Sequence, residues 1–286
     1  MAGSFSLIDS TEKYVFISFQ NFSAILGHTH SIYVFDTDAP EKDYWQPQIF
    51  SQVTGYISRG YAVVYVAEQN ETATVQHFSR LGFPVEDDIE SGALTIVNKD
   101  VFYSPNVRGH LLSEQWSKIF AAAEKKRGKE NIKGFVGIGM PADSFFASEM
   151  YQQRLVDYEA LVADEYSGEI EAMCCYTTEM FDRMPLKYII MLLNSHQNTA
   201  HRGGHLKRWT RERCIEVIKN GLNSALGPGV AELIFSILLK DFGMDRNAMV
   251  MFPDKLEGRL RFLLGTSAAD IVVGKVKKEF KKATAY

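Results

Sequence analysis

YAVVYVAEQNETATVQHFSRLGFPVEDDIESGALTIV, residues 61–97, changes its hydrophobic rhythm twice. Tyr61 to Ala67 is a near-continuous apolar, β-branched run, the pattern of a strand buried on both faces. From Glu71 the rhythm lengthens. Val75, Phe78 and Leu81 fall on one helical stripe, and Gly82 stands where a helix ends. A second apolar run, Ala93 to Val97, opens after Ser91-Gly92. Strand, helix and strand joined by short turns make a right-handed parallel unit. In an open α/β sheet, ligands bind beyond the carboxyl ends of the strands, which here places Glu68, Gln69 and Asn70 at such an end.

The surrounding chain repeats this alternation. Ser31–Asp36, Gly134–Gly139 and Ile170–Tyr176 read as further strands, and Gln46–Ser58, a helix capped at Ser113, Ser144–Glu165 and Pro185–Asn194 as helices. Residues 98–109 read as a turn-rich connection, and 14–26 as either a strand or the start of a helix. Five strands alternating with about five helices make a doubly wound, mostly parallel α/β sheet. Asn198–Gly204 reads as a linker. Beyond it four helices are expected, 210–226, 230–242, 253–264 and 268–282, so the division is an α/β domain over 1–200 and a small all-α domain over 207–286.

Composition is that of a globular protein: 46% of the 286 residues are hydrophobic and 23% charged. No apolar stretch is long enough to span a bilayer, and the first residues lack a basic start and apolar core. Three cysteines, two of them adjacent, do not make a disulfide framework, so a cytoplasmic setting is expected. The net charge of −4 conceals a division: residues 207–286 carry 15 Lys and Arg against 9 Asp and Glu, or +6, leaving −10 for 1–206. Such asymmetry favours two modules.

Two requirements of phosphoryl transfer are missing. After the first strand, FDTDAPEKDYWQ (35–46) has no glycine and four carboxylates where a phosphate cradle would need glycines and a Lys-Ser/Thr. After the strand at 134–139, Met140-Pro141 stands where a magnesium-binding Asp would sit.

HSIYVFD (30–36), GYAVVYVAEQN (60–70), the Gly82 turn, SGALTIVNKDVFY (91–103), VDYEALV (156–162), MCCYTTEMF (173–181) and His196 together resemble the MEDS domain, named for methanogens, methylotrophs and the DcmR sensory regulator. The resemblance covers about residues 20–200. It implies a RecA/KaiC-like sensor without a working phosphate loop that binds small hydrocarbon derivatives. Ser31-Ile32 departs from the Ile-Cys common in the family, so no thiol role carries over there. GLNSALG (221–227) and FPDKLEGRLRFLLG (252–265) resemble a small helical output domain joined to such sensors in ammonia-oxidising archaea.

The ligand-binding candidates divide by origin. Glu68 and Gln69 come from the strand-end argument, with Tyr176 at the end of another strand; Phe35 and Met140 would line the walls of that single pocket. In KaiC-like ATPases a catalytic Glu occupies the place of Glu68. Without a phosphate loop Glu68 reads instead as a polar anchor, or as simply exposed. His30, Tyr33, Glu159 and His196 are implied by the resemblance; a buried structural histidine and a solvated helix-face carboxylate are the plainer alternatives. Cys174 and Cys175 point to opposite faces of a strand and cannot share one metal ion well, so they read as small buried hydrophobes. Cys175 is nonetheless among the ligand-binding candidates, whereas Cys175 with His196 as nucleophile and base lacks a third orienting group. Lys207, Arg208, Trp209 and Arg211 have the composition of a nucleic-acid contact, or of a charged linker and first helical turn.

These readings converge on a signal-transduction or transcription-regulating protein. Its α/β domain senses a small, largely apolar ligand, and its helical domain transmits the state. No catalytic residue, cofactor or metal is expected. A nucleotide- or thiol-dependent enzyme and a nucleic-acid-binding adaptor are the alternatives. The expected partners are the ligand, a signalling protein or DNA met by the basic helices, and a second copy of the chain; no membrane is expected.

Overall fold

Ala62–Ala67, buried at every position, is a central strand of one sheet, as its apolar run predicts. A computed structural model of the chain describes residues 30–36, 45–103, 109–165, 170–201 and 205–284. The segment 14–26 and most of the loop after the first strand lie outside them. The described strands are β1 (His30–Phe35), β2 (Ala62–Ala67), β3 (Leu94–Asn98), β4 (Phe135–Gly139), β5 (Ile170–Thr177), β6 (Asn198–His201) and β7 (His205–Arg208). Their order is β3-β2-β4-β5-β1-β6-β7, and every neighbouring pair is parallel except β6 with β7.

Helices fill the crossovers: α1 (Trp45–Ser58), α2 (Glu71–Arg80), α3 (Glu86–Glu90), α4 (Lys99–Phe102), α5 (Gly109–Arg127), α6 (Glu149–Glu165), α7 (Thr178–Arg183) and α8 (Leu186–Asn194). Asn70 caps α2 by accepting from the Ala73 N–H at 2.9 Å, and Gly82 turns the chain beyond it at φ 85°. Both sheet faces are covered. On one, Tyr65 meets Phe50 of α1 and Phe78 of α2 edge-on at 5.7 and 5.6 Å. On the other, Gly137 makes room for an indole from α5, since a Cβ there would lie 2.8 Å from Trp116.

After the sheet come α9 (Arg211–Leu226), α10 (Pro228–Phe242), α11 (Arg246–Met251), α12 (Pro253–Leu264) and α13 (Thr266–Thr284). The expected α/β sheet followed by an all-α region is therefore what forms. Four details differ. Residues 198–204 are not a simple linker, because β6 and β7 extend the sheet to Arg208. α5 starts at Gly109, ahead of Ser113. Residues 144–165 divide into a 3-10 turn and α6. The short helices α3, α4, α7 and α11 have at most six residues, too few to show a helical period. The apolar core is continuous from the sheet into the final helices, including Leu192 of α8, Leu256 of α12 and Phe280 of α13.

At Gly221, α9 packs closely on α13. A Cβ there would stand 2.5 Å from the Cα of Val276, a backbone atom that cannot rotate away. Gly221→Ala is expected to destabilise the protein by about 1–3 kcal/mol, the usual cost of overpacking, despite alanine's better helix propensity. Equal or higher stability in urea unfolding would refute that close approach.

Candidate functional site

Glu159, 3% exposed, sits in the second half of α6, the helix that leads into β5. A bare carboxylate there would be very costly, so it needs partners. They come from three other places. β1 and β5 run parallel with Ile32 opposite Cys174 and Val34 opposite Tyr176. Because side chains alternate along a strand, His30, Cys174 and Tyr176 share one face of the sheet. His196 arrives from the turn after α8. The next residue, Gln197, donates its N–H to the His30 carbonyl at 2.8 Å and so fixes that turn against β1.

The resulting network is dense. Tyr176 Oη donates to Glu159 Oε1 at 2.6 Å. The other oxygen, Oε2, lies 3.1 Å from His30 Nε2, 3.3 Å from Cys174 Sγ and 3.8 Å from His196 Nε2. Cys174 Sγ is itself 3.2 Å from His30 Nε2. Both imidazoles are tied by the opposite nitrogen to a carbonyl, His30 Nδ1–H to Ser195 O at 3.0 Å and His196 Nδ1–H to Leu192 O at 2.7 Å. A carbonyl can only accept, so each Nδ1 carries a proton and each Nε2 faces the carboxylate. The rings lie 4.0 Å apart between centroids. His196 Nε2 is fully buried and has no hydrogen-bond partner among the described residues.

Electrostatics follow the geometry. Burial would raise the Glu159 carboxyl, but the hydrogen bond from His30 and the field of both histidines hold it below the usual carboxylate range, at about 2. Burial, reinforced by His30, lowers His196 to about 3. Burial first and Glu159 second push the Cys174 thiol and the Tyr176 phenol up, so both are protonated donors at neutral pH. Beside the cluster stands an aromatic wall: Trp116 Nε1 donates to Tyr158 Oη at 2.6 Å, and Tyr103 meets Tyr158 edge-on at 5.9 Å.

Four residues expected at a ligand site are thus brought together: His30, Glu159, Tyr176 and His196. The thiol among them is Cys174, not Cys175. Cys175 lies on the opposite face with Tyr33, its register partner, which removes both from this cluster and breaks the Cys175–His196 pairing. The cluster is only partly at the carboxyl rim of the sheet, which Tyr176 reaches near the end of β5. His30 opens β1 and His196 precedes β6, so both histidines enter at the amino ends of their strands.

The rim holds a different arrangement. Lys99, 5% exposed, reaches Glu68 Oε1 at 3.2 Å and Asp143 Oδ2 at 3.0 Å. Burial would lower Lys99, but its hydrogen bonds to the two carboxylates outweigh that and raise it. Glu68 therefore answers a lysine, and Gln69 beside it is exposed. The single pocket joining Glu68 to Tyr176 does not describe these contacts. Both partner carboxylates are open to water, so each pair contributes at most about 1 kcal/mol.

The basic segment resolves differently from its composition. Lys207 and Arg208 are exposed on β7 and Arg211 opens α9, but Trp209 is 6% exposed and packs 6.2 Å from the ring of Phe280. Its face is not available to stack on a base.

A family model described as MEDS, the methanogen/methylotroph, DcmR sensory domain, matches residues 29–197. No curated protein matches the chain. Among solved structures, the flagellar accessory protein FlaH from Methanocaldococcus jannaschii is similar over 63% of this chain and 76% of that one, with 16% identity and a TM-score of 0.38. No described helix is long and apolar enough to cross a membrane.

Proposed function

The chain belongs to the MEDS family of sensory domains, and on that premise we propose that it is a regulatory protein whose sensing site is the buried cluster around Glu159. The observation that carries this reading is the convergence of His30, Glu159, Cys174, Tyr176 and His196 from four separate elements onto one interior point. A small, largely apolar molecule with one or two polar atoms suits the aromatic wall of Tyr103, Trp116 and Tyr158 together with the donors and acceptors of the cluster. The reading is of a binding protein rather than a nucleotide hydrolase. It rests there on the glycine-free sequence 35–46 and on the absence of an Asp directly after β4 in the sequence.

Transmission has a short physical route. Gln197, next to His196, accepts the Trp209 N–H at 2.9 Å while donating to His30. Trp209 in turn packs on Phe280 of α13, and Thr210 caps α9. A ligand that displaces the His196 turn would shift Gln197 and, through it, the seat of the helical region, whose Lys281 pairs with Asp182 of α7 at 2.7 Å. Cytoplasmic action on a signalling protein or on DNA is the corresponding expectation for the output.

The test uses the full chain and the emission of Trp116, whose indole is hydrogen-bonded to Tyr158 next to Glu159. Small alcohols, thiols and chlorinated hydrocarbons are titrated, and hydrogen exchange in α13 is followed in parallel. A saturable response that is weakened at least tenfold by Tyr176→Phe and accompanied by altered exchange in α13 is expected. Equal responses in wild type and Tyr176→Phe would remove the cluster from ligand binding.

A further inference from the structure

We propose that His30 Nε2, His196 Nε2, Cys174 Sγ and Glu159 Oε2 bind one divalent transition-metal ion of the zinc class. The inference deepens the sensing reading and rests on the same site. These four atoms all lie within 4.8 Å of one another. Donors 2.0–2.3 Å from a tetrahedral ion stand roughly 3.3–3.6 Å apart. Four of the six separations, 3.1, 3.2, 3.3 and 3.8 Å, bracket that spacing, and the remaining two, from His196 to His30 and Cys174, are within 4.8 Å, so an ion would draw His196 inward.

The orientation of the groups carries the argument further than their proximity. Both imidazoles and the carboxylate have their other polar atom engaged elsewhere, which leaves His30 Nε2, His196 Nε2 and Glu159 Oε2 turned toward the centre beside the Cys174 thiol. The Nδ1–H groups of His30 and His196 are held by Ser195 O and Leu192 O, and Glu159 Oε1 is held by Tyr176. Outer hydrogen bonds of this kind fix the tautomer and direction of metal-binding imidazoles and carboxylates. A proton can join His30 to Glu159. It cannot also serve His196 Nε2, which is buried, faces the same oxygen and has no hydrogen-bond partner among the described residues. A cation at the centre serves all four at once.

Charge and chemistry agree. A dication, one thiolate and one carboxylate sum to zero, so the filled site suits a buried position. Binding releases the Cys174 thiol proton and any proton on His30 Nε2 to solvent; no oxidant or reductant is involved. Imidazole nitrogen, thiolate and carboxylate together favour zinc and its neighbours over magnesium or calcium, which take oxygen sets. Cys174 is the one member of the four that is not fully buried.

The experiment is cobalt(II) titration of the full chain after chelator treatment, read by absorption, with metal content of the protein as purified measured alongside. One equivalent is expected to give a thiolate-to-cobalt charge-transfer band and the intense visible bands of a tetrahedral centre. Cys174→Ser should abolish the charge-transfer band, Cys175→Ser should leave it unchanged, and Tyr176→Phe should weaken binding about tenfold. Circular dichroism of each variant establishes that it is folded. Absence of the bands in folded wild-type protein, or a charge-transfer band that survives Cys174→Ser, would overturn the metal site. If the bands fail while Trp116 emission still answers the apolar probes, the ion is refuted and the sensing reading stands. If cobalt binds but no probe is answered, the ion stands and that reading falls.

Discussion

Glu159→Ala is expected to cost about 3–5 kcal/mol, the range for breaking a buried ion pair by removing one partner. The loss is not the strength of one bond. His30 Nε2, the Cys174 thiol and the Tyr176 hydroxyl all give up their common acceptor inside the protein, and each buried unsatisfied group carries its own penalty. Glu159→Gln separates charge from shape. The amide oxygen can still accept from Tyr176, and its NH2 can donate to a neutral His30, so about 1–2 kcal/mol is expected. Guanidinium unfolding with unchanged m-values is the measurement. An alanine variant within about 1 kcal/mol of wild type would mean that Glu159 is not the shared buried acceptor of His30, Cys174 and Tyr176.

The fold was largely legible because its decisive strands obey simple patterns. β2 is a continuous β-branched run, and the stripe of Val75 and Phe78 with Gly82 behind it delimits α2 closely. The edge pair β6 and β7 was not. NTAH and HLKR are four residues each, with no alternation, and at a sheet edge the neighbouring strand decides what becomes β.

The site was partly legible, and two of its errors could have been caught from parity alone. His30 and Tyr33 are three apart on one strand, so they face opposite ways and cannot both line one cluster. Tyr176 shares its face with Cys174 and not with its neighbour Cys175. Naming Tyr176 therefore already selects Cys174. What parity could not supply is the pairing of β1 with β5, which brings together residues some 140 positions apart in the chain. At the rim, Lys99 follows β3 as an apparently ordinary turn lysine, and no sequence pattern shows that it reaches both Glu68 and Asp143.

Trp209→Ala is the second large effect, expected to cost about 3–5 kcal/mol as a buried tryptophan truncation. The indole fills the junction between β7 and α9, 6.2 Å from Phe280 and with the Arg213 guanidinium 5.8 Å from its ring. Removing it leaves a cavity where the sheet edge meets α13, and helices packed across that gap cannot readily close it. Trp209→Phe should cost less, because the indole N–H has no hydrogen-bond partner among the described residues and most of the ring volume is kept. The pair also discriminates between readings of HLKRWTRER. If this segment meets nucleic acid, exposed Lys207 and Arg208 make the contact by charge, so Trp209→Phe leaves affinity unchanged while their replacement weakens binding and flattens its salt dependence. Unfolding midpoints and filter binding across a salt series measure both. A Trp209→Ala protein as stable as wild type that has lost nucleic-acid binding would reverse the assignment, making Trp209 a stacking platform rather than the joint between sheet and helices.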